Sequence, residues 1–151
     1  MQYSERLLQS GRDISAVHHV GSTSVPGLAA KPIIDLMPVV ADEVALDRCQ
    51  VVVEQLGYVW HGAYGIRGRR YCTLTDSSGA RIAQLHIFVE MSLHVRRHLA
   101  FRDYLRAHPD VAMAYEAEKR WAQNLHPDNS NAYSDEKTEW IQKTEIDALD
   151  W

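Results

Sequence analysis

From Ser92 to Trp151 the chain contains no glycine. Glycine weakens helix interiors through its backbone entropy, and its exclusion from so long a polar and apolar mixture predicts long helical patterning. Residues 16–90 read differently: they are rich in β-branched side chains and repeatedly interrupted by glycine. That pattern predicts short strands joined by turns. Strands first and helices after define an α+β protein, a small mixed sheet with helices packed on it and a C-terminal helical segment.

The elements follow from local signals. Tyr3 to about Ile14, with Leu7 and Leu8 on one side, predicts a short helix. AVHHV (16–20) and PIIDLMPVV (32–40) predict strands, the second buried along its length. Asp42 is a plausible N-cap for a helix over 43–56, stopped by Gly57 where a left-handed residue is needed. YVWHG (58–62) predicts a further strand, and RRYCTLTD (69–76) and RIAQLHIFVE (81–90) flank Ser77-Ser78-Gly79 as a hairpin. Three helices follow, over 92–107, 110–125 and 133–149, with HPDNS (126–130) as the break before the last.

With 151 residues, one domain over 1–151 is expected. A net charge of −4 argues against a nucleic-acid partner, which calls for a basic surface. No apolar run approaches the roughly 20 residues of a membrane span, and MQYSERLLQS has no signal-peptide core. Cys49 and Cys72 have neither CxxC spacing nor a disulfide framework around them. A cytoplasmic setting is the expectation.

Chemistry concentrates in residues 18–40. Gly21-Ser22 closes a strand, Thr23 and Ser24 add hydroxyls and backbone N–H groups, and Asp35 stands alone in an apolar strand. A carboxylate in such a strand must be paired, metal-bound or at a functional strand end. N–H groups of a Gly-Ser turn suit phosphate oxygens, and a nearby carboxylate suits Mg²⁺, the combination used for phosphoryl or nucleotidyl transfer. The bland alternatives are an ordinary loop and a turn-capping Asp35. GxxxxGK[ST], GxGxxG and GxSxG are all absent.

The string HHVGSTSVPGLAAKPIIDL (18–36) resembles the signature of the GrpB family, whose members resemble the nucleotidyltransferase superfamily. Leu56-Gly57-Tyr58, Gly68-Arg69-Arg70-Tyr71, Arg81 with Leu85-His86-Ile87, residues 98–119, and Tyr133 with Lys137 resemble further family motifs in the same order. The resemblance spans about residues 17–148. It implies a minimal nucleotidyltransferase-like fold in which a Gly-Ser element holds nucleotide phosphates and two carboxylates, with one residue between them on a strand, hold Mg²⁺. Gly21 and Ser22 match the first element and Asp35 the first carboxylate, but Met37 stands where the second belongs. His86 lies where a third acid would be and is a candidate ligand or base, which also admits Mn²⁺ or Zn²⁺. The family pattern further leads one to expect histidine where this chain has Gln84, and more chain before His18.

Among the eight histidines, His19 and His86 stand out, the first for preceding the turn; for His18 the reading is solvent exposure. Arg69, Arg70 and Arg81 come from the hairpin, with alternation setting Arg69 and Arg70 on opposite faces, and each is a candidate for an anion or a structural ion pair. Lys31 is a phosphate candidate by its closeness to Ser22 and Asp35. Ser22, Asp35, Arg70 and His86 are expected to converge within about 10 Å if a ligand pocket exists.

Three functions compete. The first is transfer of a nucleoside monophosphate from a nucleoside triphosphate to a small acceptor, with Asp35 and His86 catalytic and Gly21, Ser22, Thr23, Ser24, Lys31, Arg69, Arg70 and Arg81 on the phosphates. The second is a degenerate domain that binds a nucleotide or phosphorylated metabolite, or acts as an accessory, as fusions of GrpB-like domains to dephospho-CoA kinase suggest. The third is a metal-dependent hydrolase using His19, Asp35 and His86.

Overall fold

The computed structural model describes the backbone of residues 2–28, 32–125 and 130–151, and side chains for these except 123, 125 and 130–138. Lys31 and residues 126–129 of the expected helix break therefore lie outside the described residues, as do the side chains of Tyr133 and Lys137. In chain order the elements are α1 (Gln2–Ser10), β1 (Ile14–Val20), a 3₁₀ turn (Ser22–Ser24), β2 (Ile34–Val40), α2 (Glu43–Gln55), β3 (Val59–Trp60), β4 (Arg70–Thr75), β5 (Arg81–Val89), α3 (Leu93–Ala107), α4 (Pro109–Leu125) and α5 (Ser130–Asp150). The expected α+β order holds. The first helix stops four residues early because Gly11 ends it, its N–H bonded to the Leu7 carbonyl at 2.8 Å, and Ile14 already belongs to the strand. Pro109 opens α4 instead of standing outside it, since a first-turn N–H is not needed for the helix.

The chain forms two compact units, one of residues 1–24 and 30–96, the other of 25–29 and 97–151. In the first, the strands make a single sheet in the order β1-β2-β5-β4-β3. β2 and β5 run parallel and the other neighbours antiparallel, so the sheet is mixed. One face carries Leu36, Val40, Cys72, Ala83, Leu85 and Ile87, buried under Leu7 of α1 and Ala45, Leu46, Cys49 and Val53 of α2. α2 begins where the Asp42 carboxylate accepts from the Ala45 N–H at 2.8 Å, and the chain leaves it through Gly57 at φ +98°. The β4–β5 turn is closed by Asp76, which accepts from the Ser78 hydroxyl at 2.6 Å and the Ser78 and Ala80 N–H groups. In the second unit Val25, Leu105, Ala112 and Tyr115 form a small core, with Phe101 edge-on to Tyr115 and Trp140 against it. Among the described residues no helix is long and apolar enough to cross a membrane.

Burial under α2 has a chemical consequence. Desolvation pushes the thiols of Cys49 and Cys72 up to about 11 and about 12, from an ordinary 9.0, and the Tyr58 hydroxyl up to about 12 from 10.0. These groups hold their protons longer in the folded than in the unfolded chain. The stability tied to their neutral forms is complete below pH 9 and is lost as pH rises towards 12. The unfolding free energy from urea titrations across this range is expected to fall above pH 9, by up to about 1.4 kcal/mol per pH unit for each group titrating. At neutral pH neither thiol should react with a thiol reagent until the protein is unfolded.

Candidate active site

Strand alternation and register decide which side chains meet on the sheet face away from α2. Asp35, Met37 and Val39 of β2 point there, as do Gln84, His86 and Phe88 of β5, and the pairing adds Tyr71 and Thr73 of β4 and His18 and Val20 of β1. Asp35 lies beside Gln84 in the parallel pair. His86 Nε2 is 3.1 Å from Asp35 Oδ1, with the two side chains 15% and 26% exposed. A carboxylate only accepts, so this bond places the imidazole proton on Nε2 and orients the ring. Tyr71, directly opposite His86, packs on its ring at 5.5 Å and donates to Gln84 Oε1 at 2.8 Å.

Gly21 makes the approach to Asp35 possible. Its φ is +73°, and a Cβ built there would stand 2.6 Å from Asp35 Oδ2. The turn that follows consumes two of the hydroxyls expected to hold phosphate. Ser24 is buried, with its hydroxyl donating to the Gly21 carbonyl at 2.6 Å, and Thr23 Oγ1 is 2.8 Å from His19 Nε2. Both residues thus build the turn, and Ser22 is the half-buried hydroxyl between Gly21 and them.

The three arginines part company. Arg70 turns to the α2 face and bonds Asp47 at 2.9 Å, so the expected convergence of Ser22, Asp35, Arg70 and His86 fails at Arg70. Arg69 keeps to the face of Tyr71, 4.8 Å over its ring, but its guanidinium is buried and donates to the carbonyls of Ala63 at 3.3 Å and Tyr64 at 2.7 Å. It braces the β3–β4 loop. Arg81 would face α2 by simple alternation, but a one-residue register shift between Leu74 and Thr75 pairs it with Thr75 and turns it to the Tyr71 face. Burial raises the Tyr71 hydroxyl above its ordinary value, and the Arg81 guanidinium is the strongest influence opposing that rise. His19 pairs with Leu36 and so belongs to the other face; it is His18, opposite Met37, that shares the face of Asp35. The hydrolase set of His19, Asp35 and His86 is therefore not brought together.

Tyr71, Tyr64 and His61 have no site role in the sequence reading, yet Tyr64 stacks on Tyr71 at 5.1 Å and the His61 ring lies 5.4 Å from each of them. Counting back from His86 across the hairpin finds Tyr71 only when the bulge is known.

The donors bear on a resident metal. Asp35 and His86 adjoin, Met37 is fully buried on the same face, and no group of three His, Cys, Asp or Glu side chains able to hold an ion occurs among the described residues. Two donors fall short of the four of a closed zinc site or the carboxylate pair of a two-metal centre. These residues do not fit a protein-built metal centre.

Comparison with known proteins agrees with this architecture. The sequence matches the family described as GrpB protein over residues 1–146. It is 41% identical to the UPF0157 protein YqkA of Bacillus subtilis over 148 residues, 97% of this chain and 43% of that protein's length. It is 34% identical to the UPF0157 protein SCO7215 of Streptomyces coelicolor over 142 residues, 93% of this chain and 73% of that one. The chain thus spans less than half of YqkA. The crystal structure of GrpB from Enterococcus faecalis superposes with a TM-score of 0.87 and 37% identity, over 99% of this chain and 89% of that one. Cid1 in complex with its short product ApU gives 0.53 at 17% identity, over 81% of this chain and 38% of that one, a likeness of fold. With a family model matched over residues 1–146 and the fold of the Enterococcus faecalis GrpB structure, the chain belongs to the GrpB family.

Proposed function

We propose that this chain binds a nucleoside triphosphate, or another phosphorylated small molecule, on the sheet face around Asp35, and that it does so as a binding domain in which two-metal nucleotidyl transfer is lost. The observation that carries this reading is Met37, fully buried two residues along β2 from Asp35. An apolar side chain there removes the second carboxylate. What is left suits a ligand that brings its own cation: Mg²⁺ keeps several waters and binds through one carboxylate plus substrate phosphates. Asp35 would meet that cation, the tight turn at Gly21 would let phosphates approach the backbone, and Arg81 would supply a guanidinium fork. Cid1 is seen with a UTP analogue on the same fold, which supports the nucleotide class. The free thiols of Cys49 and Cys72 fit a reducing cytoplasm.

A second reading rests on the bond between His86 and Asp35. A carboxylate-oriented imidazole is arranged as a general base, and slow transfer to an acceptor hydroxyl would use it. Titrating the protein with each nucleoside triphosphate and Mg²⁺ by calorimetry tests the binding. Incubation with labelled triphosphate and a metabolite pool tests the transfer. Binding without label transfer is the expected result, with affinity lost in Asp35→Ala. Absence of binding by any nucleotide, or an Asp35→Ala variant with full affinity, overturns the proposal. Arg81→Ala is expected to weaken binding about 10-fold or more through loss of a charged hydrogen bond, whereas Arg70→Ala leaves it unchanged.

A further inference from the structure

The loop between β3 and β4 carries Gly62, Gly65 and Gly68 at φ +67°, +85° and +83°. Among the described residues Tyr64 is the one non-glycine residue with positive φ, at +48°. A bulky L-residue avoids this region, and Gly or Asn is the ordinary choice there. The conformation is nevertheless held firmly: Arg69, itself buried, donates to the Tyr64 carbonyl at 2.7 Å and to the Ala63 carbonyl at 3.3 Å. The ring so placed stacks on Tyr71 at 5.1 Å and 24°, yet Tyr64 is 66% exposed. Tyr71 in turn contacts His86, which bonds Asp35. A column of rings therefore runs from the carboxylate to a tyrosine that presents most of its surface to solvent. Burial does not account for a tyrosine at this position, since most of it stays in water.

From this geometry we infer that Tyr64 is the stacking platform for a planar heteroaromatic ring of the ligand, which makes that ligand a nucleotide in preference to a phosphorylated sugar or other ring-free phosphate. This rests on the binding reading above and adds its specificity. Aromatic side chains accept every base face, so the platform selects a base over no base without strongly ranking the bases. Tyr71 backs the platform, and Arg69 is a positioning residue that fixes its angle.

Calorimetric titration with ATP, CTP and inorganic triphosphate, each with Mg²⁺, tests this on the wild-type chain and on Tyr64→Gly, Tyr64→Phe and Tyr64→Trp. Glycine suits the backbone conformation at residue 64, so a folding defect does not stand in for loss of the ring. Tyr64→Gly is expected to weaken ATP and CTP binding by roughly 5- to 150-fold, the equivalent of one stacked base, and to leave triphosphate affinity within about twofold. Phe and Trp should restore nucleotide binding. Unchanged ATP affinity in Tyr64→Gly, or equal losses for ATP and triphosphate, overturns the stacking role while leaving phosphate binding intact. A wild-type chain that binds neither nucleotide nor triphosphate overturns the binding reading, and the platform with it.

Discussion

Replacing Gly21 by alanine is expected to abolish ligand binding and to lower stability by roughly 2–4 kcal/mol. Two separate costs produce this. At φ +73° an alanine sits in the left-handed region, worth about 1–2 kcal/mol against an L-residue. Its Cβ would also stand 2.6 Å from Asp35 Oδ2, 3.1 Å from its Cβ and 3.2 Å from its Cγ. Rotating the carboxylate tip alone does not relieve three contacts, so the whole Asp35 side chain must move and the bond to His86 is broken. A charged hydrogen bond of this kind contributes about 1.5–3 kcal/mol, taken at the low end here because Asp35 keeps contact with water. Urea denaturation reads the stability, and the imidazole proton resonance of His86 reads the bond. An alanine variant with wild-type urea midpoint and unchanged His86 signal would show that the turn is looser than its geometry implies.

Met37→Asp, which restores the second carboxylate, should cost the folded protein about 3–5 kcal/mol at neutral pH, the penalty of an unpaired buried charge. Met37 is fully buried and shares the face of Asp35, so the new carboxylate meets desolvation and a like charge together. Both raise its folded pKa above the unfolded value of about 3.9. The folded state then holds the proton longer, and stability is lost as pH rises through the folded pKa. The defect should accordingly be smaller near pH 4, where only the lost apolar packing counts, and full at pH 7. Mg²⁺ or Mn²⁺ should return part of it, since two carboxylates with one residue between them on a strand face one ion. Met37→Leu, which conserves volume, should cost less than about 1.5 kcal/mol. Thermal melts at both pH values, with and without cation, separate these outcomes. A Met37→Asp chain as stable as Met37→Leu at pH 7 without cation would mean the position is not dry.

The periodicities and breakers of this chain determined its elements by themselves. The glycine-free stretch after Met91 holds α3, α4 and α5, Asp42 and Gly57 bounded α2, and Ser77-Ser78-Gly79 turned the hairpin, because capping, turn and helix energies depend on neighbours within a few residues. Alternation alone also placed Asp35 and Met37 on one face and separated Arg69 from Arg70. The family motif pointed to Gly21 and Asp35. The tertiary structure decided what each group meets. Asp35 and His86 are 51 residues apart, and only the parallel pairing of β2 with β5 sets them 3.1 Å apart. A single bulge carried Arg81 to the site face, an acid on α2 drew Arg70 to the other, and local bonds tied Thr23 and Ser24 into the turn. Tyr64 gained its meaning from a ring on a different segment and an arginine beneath its loop. Side-chain direction in a sheet is binary and switches with each register shift, so a pattern of residues constrains the strands far more tightly than it constrains the site they build.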